Sequence, residues 1–166
     1  EISACLVGSE MCIETAGVLT PDTGEVVFEG QSISSLDDAA RSTLRLNHFS
    51  FIFQDGQLLP ELTAKENVAL PAIMRGVAQK EAHAEATEML TRLGLGAYTE
   101  RFPGQLSGGQ AQRVAIARAL IGPPSVVFAD EPTAALDQAT GHEVMQQITA
   151  VAEKFGVTLV LSLIHI

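Results

Sequence analysis

The sequence predicts an α/β fold in which helices cover a mostly parallel sheet. Three observations carry that expectation. Val126-Val127-Phe128-Ala129 is apolar at four consecutive positions and rich in β-branched residues, as a strand buried on both faces requires. Helical stripes flank it, with Val114, Ala117, Leu120 and Ile121 before it and Val144, Ile148, Val151 and Phe155 after it. A further apolar strand, Val157 to Leu161, completes a strand-helix-strand unit.

In chain order, Gly24 to Gly30 reads as a short strand bounded by glycines, and Ser50 to Phe53 as another. From Gln79 to Leu93 the composition turns to Ala, Glu, Lys and Leu, and Ala86, Leu90 and Leu93 mark the buried stripe of a helix. Ser107 is a good N-cap and opens the next helix, which leads to the strand at 126–129. The following helix is expected after Gly141, and the last strand spans 157–161.

Composition narrows the function. The 166 residues are 46% hydrophobic and 18% charged with 14 Gly and 7 Pro, which is folded globular material with one core. A formal net charge of −10 argues against a broadly basic surface, so no nucleic-acid partner is expected. Cys5 and Cys12 suit neither a disulfide framework nor a metal knuckle and are read as reduced. No apolar run reaches the roughly 18–20 residues that span a bilayer. The first twenty residues contain no Lys or Arg, so they lack the basic start of a secretory signal and a cytoplasmic protein is expected.

The chemistry is expected at the strand ends, because ligands of open α/β sheets bind beyond the carboxyl edge. The strand at 126–129 delivers Asp130 and Glu131 there. Neighbouring strand residues face opposite ways, so one carboxylate can hold a hard cation while the other faces a water. The alternative is an acidic pair that merely ends the strand in a turn before Pro132. In Ser107-Gly108-Gly109-Gln110, two residues without Cβ let backbone N–H groups approach an anion, and the helix dipole behind them favours phosphate. A plain N-cap turn would use Ser-Gly equally well.

Taken together, Phe53-Gln54, Leu106-Ser107-Gly108-Gly109-Gln110, Val127-Phe128-Ala129-Asp130-Glu131-Pro132 and Ala135-Leu136-Asp137 resemble the ATP-binding subunit of an ABC transporter. The likeness runs from about Gly17 to Leu161, and Leu58 to Thr63 with Glu66-Asn67-Val68 further resembles the lipoprotein-release, macrolide-export and cell-division branch. The resemblance implies a P-loop NTPase-like ABC ATPase domain over 14–161, incomplete at its N-terminal part, with a helical subdomain over about 60–105. It implies ATP and Mg²⁺ as cofactors. Gln54 matches the Q-loop glutamine on Mg²⁺ and the attacking water, Asp130 the Walker B aspartate on Mg²⁺, and Glu131 the general base. Ser107, Gly108, Gly109 and Gln110 match the signature motif that binds the nucleotide of the opposite subunit, and Asp137 the D-loop aspartate. The implied partners are a second ATPase subunit in a head-to-tail dimer and a membrane permease, which places the protein peripherally on the inner face of the cell membrane.

The departures from the family pattern concern the ends. A P-loop needs Gly-x-x-x-x-Gly-Lys-Ser/Thr, yet the three lysines, Lys65, Lys80 and Lys154, none of them after a glycine, leave no room for it. Where the loop belongs, the chain has Gly8-Ser9-Glu10, whose carboxylate would repel phosphate. At the other end His165 stands one position from the place of the switch histidine, which turns it to the other strand face. Residues 1–13 and 162–166 are therefore read as atypical and foreign to the domain, and the chain alone is expected to be inactive. Two other classes remain: a P-loop-less regulatory module lending its signature motif to a partner ATPase, and a soluble non-transport ABC protein. His48, His83 and His142 read as surface residues, since none has a second ligand at metal spacing.

Overall fold

The computed structural model describes residues 4–7, 16–19, 24–122, 124–134 and 136–162. Strand β1 (Ala4–Val7) precedes a hairpin of β2 (Val27–Phe28) and β3 (Gln31–Ser32), helix α1 (Asp38–His48) and strand β4 (Phe49–Ile52). Helices α2 (Ala64–Met74), α3 (Gln79–Arg92) and α4 (Gly108–Leu120) come next, then β5 (Val126–Asp130), α5 (Gln138–Phe155) and β6 (Thr158–Ser162). The main sheet has the order β1-β6-β5-β4, and each neighbouring pair is parallel. All four carboxyl ends therefore lie on one edge.

Side-chain alternation divides the core into two layers. Ile52, Val127, Ala129, Leu159 and Leu161 pack on one face with Val114, Ala117 and Leu120 of α4 and Val144, Ile148 and Ala152 of α5. Phe49 and Phe128 pack on the other with Ala16 and Ile33, and the Phe51 ring stacks on Phe128 at 5.5 Å. The register keeps these sets apart, pairing Val127 with Leu159 and Phe128 with Val160.

The α/β class and the helical subdomain are as the sequence predicts: α2, α3 and two 3₁₀ turns, Gly96–Tyr98 and Pro103–Gln105, lie within 60–105. Backbone amides in the first turn of α2, which have no partner inside the helix, find the chain that returns past it. The Ala64 N–H donates to the Arg101 carbonyl (2.8 Å) and the Lys65 N–H to that of Thr99 (2.9 Å). The helix expected from Gln79 to Leu93 is α3, with Ala86, Leu90 and Leu93 buried.

Three boundaries need correction. The strand expected over 24–30 shrinks to Val27–Phe28, because Glu29 (φ 50°) and Gly30 (φ 81°) turn the chain back into β3. The helix expected after Gly141 begins at Gln138, where Asp137 caps it, and it ends at Gly156, whose left-handed φ of 66° lets the Val157 N–H reach back to the Ala152 carbonyl (2.9 Å). The last strand runs through Ser162. Inside the N-terminal stretch that the sequence sets apart, the backbone of Ala4–Val7 lies in register with Leu159–Ser162. Gly8, Ser9, Glu10, Cys12, Ala135 and His165 lie outside the described residues.

Candidate active site

The parallel sheet brings Gln54, Asp130 and Glu131 to its carboxyl edge. Gln54 leaves β4 in an exposed turn that the Gly56 N–H closes onto the Phe53 carbonyl (3.0 Å). Asp130 ends β5 half-buried, in register with Ser162 of β6. Glu131 follows in a left-handed conformation (φ 45°), which costs a non-glycine residue about 1–3 kcal/mol and persists only where the surroundings enforce it. Its N–H donates to the Ser162 carbonyl (3.0 Å) and its own carbonyl accepts from the Ala134 N–H (3.1 Å). The acidic pair thus ends a strand in a turn and also stands where a ligand of such a sheet binds.

Ser107 caps α4 in a reciprocal box: its hydroxyl accepts from the Gln110 N–H (3.3 Å) and Gln110 Oε1 from the Ser107 N–H (2.9 Å). The plain capping role is therefore realised at the same residues that could face an anion. A packing reason also holds Gly109, since a Cβ there would come within 2.7 Å of Thr140 Cγ2 on α5. Asp137 caps α5 by accepting from the Ala139 and Thr140 N–H groups, both at 3.1 Å. The Thr140 side chain, then these backbone amides, hold its carboxyl below the usual aspartate range. Residues 107–110 and Asp137 thus stand at the packed starts of two helices.

Residues that sequence reasoning missed connect these parts. Gln112, buried in α4, donates through Nε2 to the carbonyls of Phe53 (3.2 Å) and Pro132 (2.7 Å). Arg118 donates to the carbonyls of Gly56 and Gln57, each at 2.7 Å, and burial lowers its pKa. The available signal for Gln112 was a polar residue on the face of α4 that is otherwise buried and apolar. An open groove of about 330 Å³ runs beside this loop, lined by Phe53, Gln57, Met74, Arg75 and Arg118. His48 is part of the packing, with its ring 5.5 Å from that of Phe28 and its Nδ1 3.3 Å from Ser125 Oγ.

The donor set suits Mg²⁺ in part. Asp130 and Gln54 offer hard oxygen ligands, and Mg²⁺ is commonly held by one or two carboxylates together with substrate phosphates. Among the described residues no cluster of three or more His, Cys, Asp or Glu could hold a metal by itself. The lysine expected for a triphosphate does not fit: Lys65 pairs with Glu100 in the helical part, Lys80 sits in the first turn of α3, and Lys154 lies over the Phe155 ring at the amino edge of the sheet.

A family model described as "ABC transporter" matches residues 11–134. The chain is 40% identical over 164 residues to the ABC transporter ATP-binding protein YtrE of Bacillus subtilis, covering 95% of this chain and 71% of that protein. It is 45% identical over 161 residues to the lipoprotein-releasing system ATP-binding protein LolD of Myxococcus xanthus, covering 96% and 72%. With the macrolide export ATP-binding/permease protein MacB of Marinobacter nauticus it shares 47% identity over 85% of this chain and 22% of that one. The dimeric post-hydrolysis structure of the ATP-binding cassette MJ0796 bound to ADP and Pi superposes with a TM-score of 0.85 at 36% identity, covering 98% of this chain and 76% of that one. The fold and these relatives define an α/β ATPase cassette of the P-loop type. The chain belongs to the ABC transporter family, as its ATP-binding component.

Proposed function

We propose that this chain is the ATP-hydrolysing component of an ABC transporter, closing head to tail with a second cassette and driving a membrane permease in export or lipoprotein release. The observation that carries the reading is the convergence of Gln54, Asp130 and Glu131 on one strand edge. When bound, MgATP supplies a γ-phosphoryl group whose charge the cation neutralises. Asp130 and Gln54 hold the cation through oxygen. Glu131 orients a water and accepts its proton, a role worth about 10²–10⁴ in rate. Ser107 to Gln110 present the start of α4 to the nucleotide of the opposite cassette, with Asp137 beside them at the start of α5. The named roles of LolD and MacB support the export and release branch. A permease partner implies peripheral attachment to the inner membrane face. No helix of the described residues is long and apolar enough to cross a membrane.

Residues 14–161 carry the cassette pattern in this reading, and without a lysine at the strand edge this chain alone does not turn over ATP. Measurable MgATP hydrolysis by the purified chain contradicts that statement. In the protein expressed from the complete reading frame, Asp130→Asn abolishes Mg²⁺-dependent turnover. Turnover equal to wild type removes the strand edge from the reaction. The placement of all three lysines also favours a second reading, a regulatory module that lends its signature segment to a partner ATPase. That reading requires the chain to raise the hydrolysis rate of a complete cassette when mixed with it.

A further inference from the structure

We propose that Gln112 is a positioning residue whose side-chain amide holds Gln54 and Glu131 in fixed relation to each other and to the Ser107 end of α4. The proposal rests on reading the strand edge as a hydrolytic site. Gln112 is 3% exposed, and its Nε2 donates to the carbonyls of Phe53 (3.2 Å) and Pro132 (2.7 Å). Phe53 directly precedes Gln54, and Pro132 directly follows Glu131. One NH₂ group therefore ties the ends of two neighbouring strands to one helix.

The chemistry at this position is selective. A primary amide carries two donors on one planar nitrogen, an ionised carboxylate only accepts, and a thioether offers no donor. Glu131 needs the tie because its left-handed backbone is held from the β6 side by its N–H on the Ser162 carbonyl (3.0 Å). Proline has no N–H to contribute to that turn, so the Pro132 carbonyl supplies the bond to α4. On the β4 side the loop packs close: a Cβ on Gly56 would stand 3.4 Å from both Gln112 Oε1 and Ala115 Cβ. A shift of the Ser107 end of α4 is thereby passed to the proposed base and to the loop glutamine together.

Two variants test this. Gln112→Met keeps nearly the same length and loses both donors, and Gln112→Glu keeps the shape and reverses the polarity. In this chain, hydrogen exchange at the Gly56 and Ala134 amides, which close the two turns, should accelerate together by at least about tenfold while α3 amides stay unchanged. In the protein expressed from the complete reading frame, kcat should fall about 10–100-fold with KM and MgATP affinity within about threefold, the pattern of a lost transition-state arrangement. If Gln112→Met fails to fold, Gln112→Asn withdraws the donors by one methylene and is read the same way. Acceleration at one turn only or at neither overturns the proposal, as does a loss confined to KM. If the wild-type protein does not hydrolyse ATP, the hydrolytic reading fails, and the exchange result still decides whether Gln112 couples the two turns.

Discussion

Replacing Asn67 with alanine tests how the helical part of the cassette is joined to the loop that follows β4. Asn67 is fully buried, and its Nδ2 donates to the carbonyls of Leu59 (3.0 Å), Leu62 (3.0 Å) and Thr63 (3.1 Å) while its Oδ1 accepts from the Leu59 N–H (2.8 Å). Two of the three carbonyls keep another partner in the variant. Leu59 still accepts from the Leu62 N–H (3.2 Å), and Thr63 from the Asn67 N–H (2.9 Å). The Leu59 N–H and the Leu62 carbonyl are left behind, at about 1–3 kcal/mol each when shielded from water and less where the loop can open. The expected loss is therefore about 2–4 kcal/mol, a large share of a typical 5–15 kcal/mol. For a chain of this size that lowers Tm by about 5–15 °C. Urea unfolding should show a lower midpoint at constant slope. Asn67→Asp, which keeps the acceptor and puts a charge among carbonyls, should cost at least as much at neutral pH. An unfolding free energy for Asn67→Ala within about 1 kcal/mol of wild type would refute the bonding scheme.

Other substitutions probe the site. Arg118→Met removes two charge-assisted hydrogen bonds to the loop carbonyls and should cost about 2–4 kcal/mol in urea unfolding, with Arg118→Lys recovering part of the loss. Asp137 has a folded-state pKa below its unfolded value, so its contribution to α5 is complete above the ordinary aspartate range and is lost as pH falls through the lower folded value. Asp137→Asn keeps the cap without the titration. Acid unfolding of this variant should therefore lack that component below the ordinary aspartate range, and an unchanged acid limb removes Asp137 as its source.

How far the sequence disclosed this arrangement depended on the kind of signal each part carries. The strand at 126–130 and the stripes of α3, α4 and α5 are local periodicities, and they are legible because one buried face repeats along each element. Helix α1 buries no residue completely, and its marks are the Asp37 cap at its start and Leu44, which packs on the Phe49–Phe128 layer. Helix α2 is apolar nearly all round and contains Pro71, so its amphipathic period vanishes and its surviving mark is the Thr63-Glu66 capping box. That box accounts for Glu66 and the buried amide for Asn67, so both residues have structural work independent of any branch of the family. At the site, Asp130 and Glu131 were legible as the end of a buried strand. The left-handed turn of Glu131, the close packing of Gly109 on Thr140 and the reach of Gln112 to Phe53 and Pro132 were not, because each depends on segments distant in sequence.

The central claim is that Glu131, held at the strand edge in a strained turn, is the base of an ATP-hydrolysing cassette. The direct measurement is steady-state MgATP hydrolysis, nucleotide affinity and dimer content of Glu131→Gln in the protein expressed from the complete reading frame. The account predicts ATP affinity close to wild type, turnover lower by about 10²-fold or more, and accumulation of the closed ATP-bound dimer. Turnover within a few-fold of wild type would contradict it.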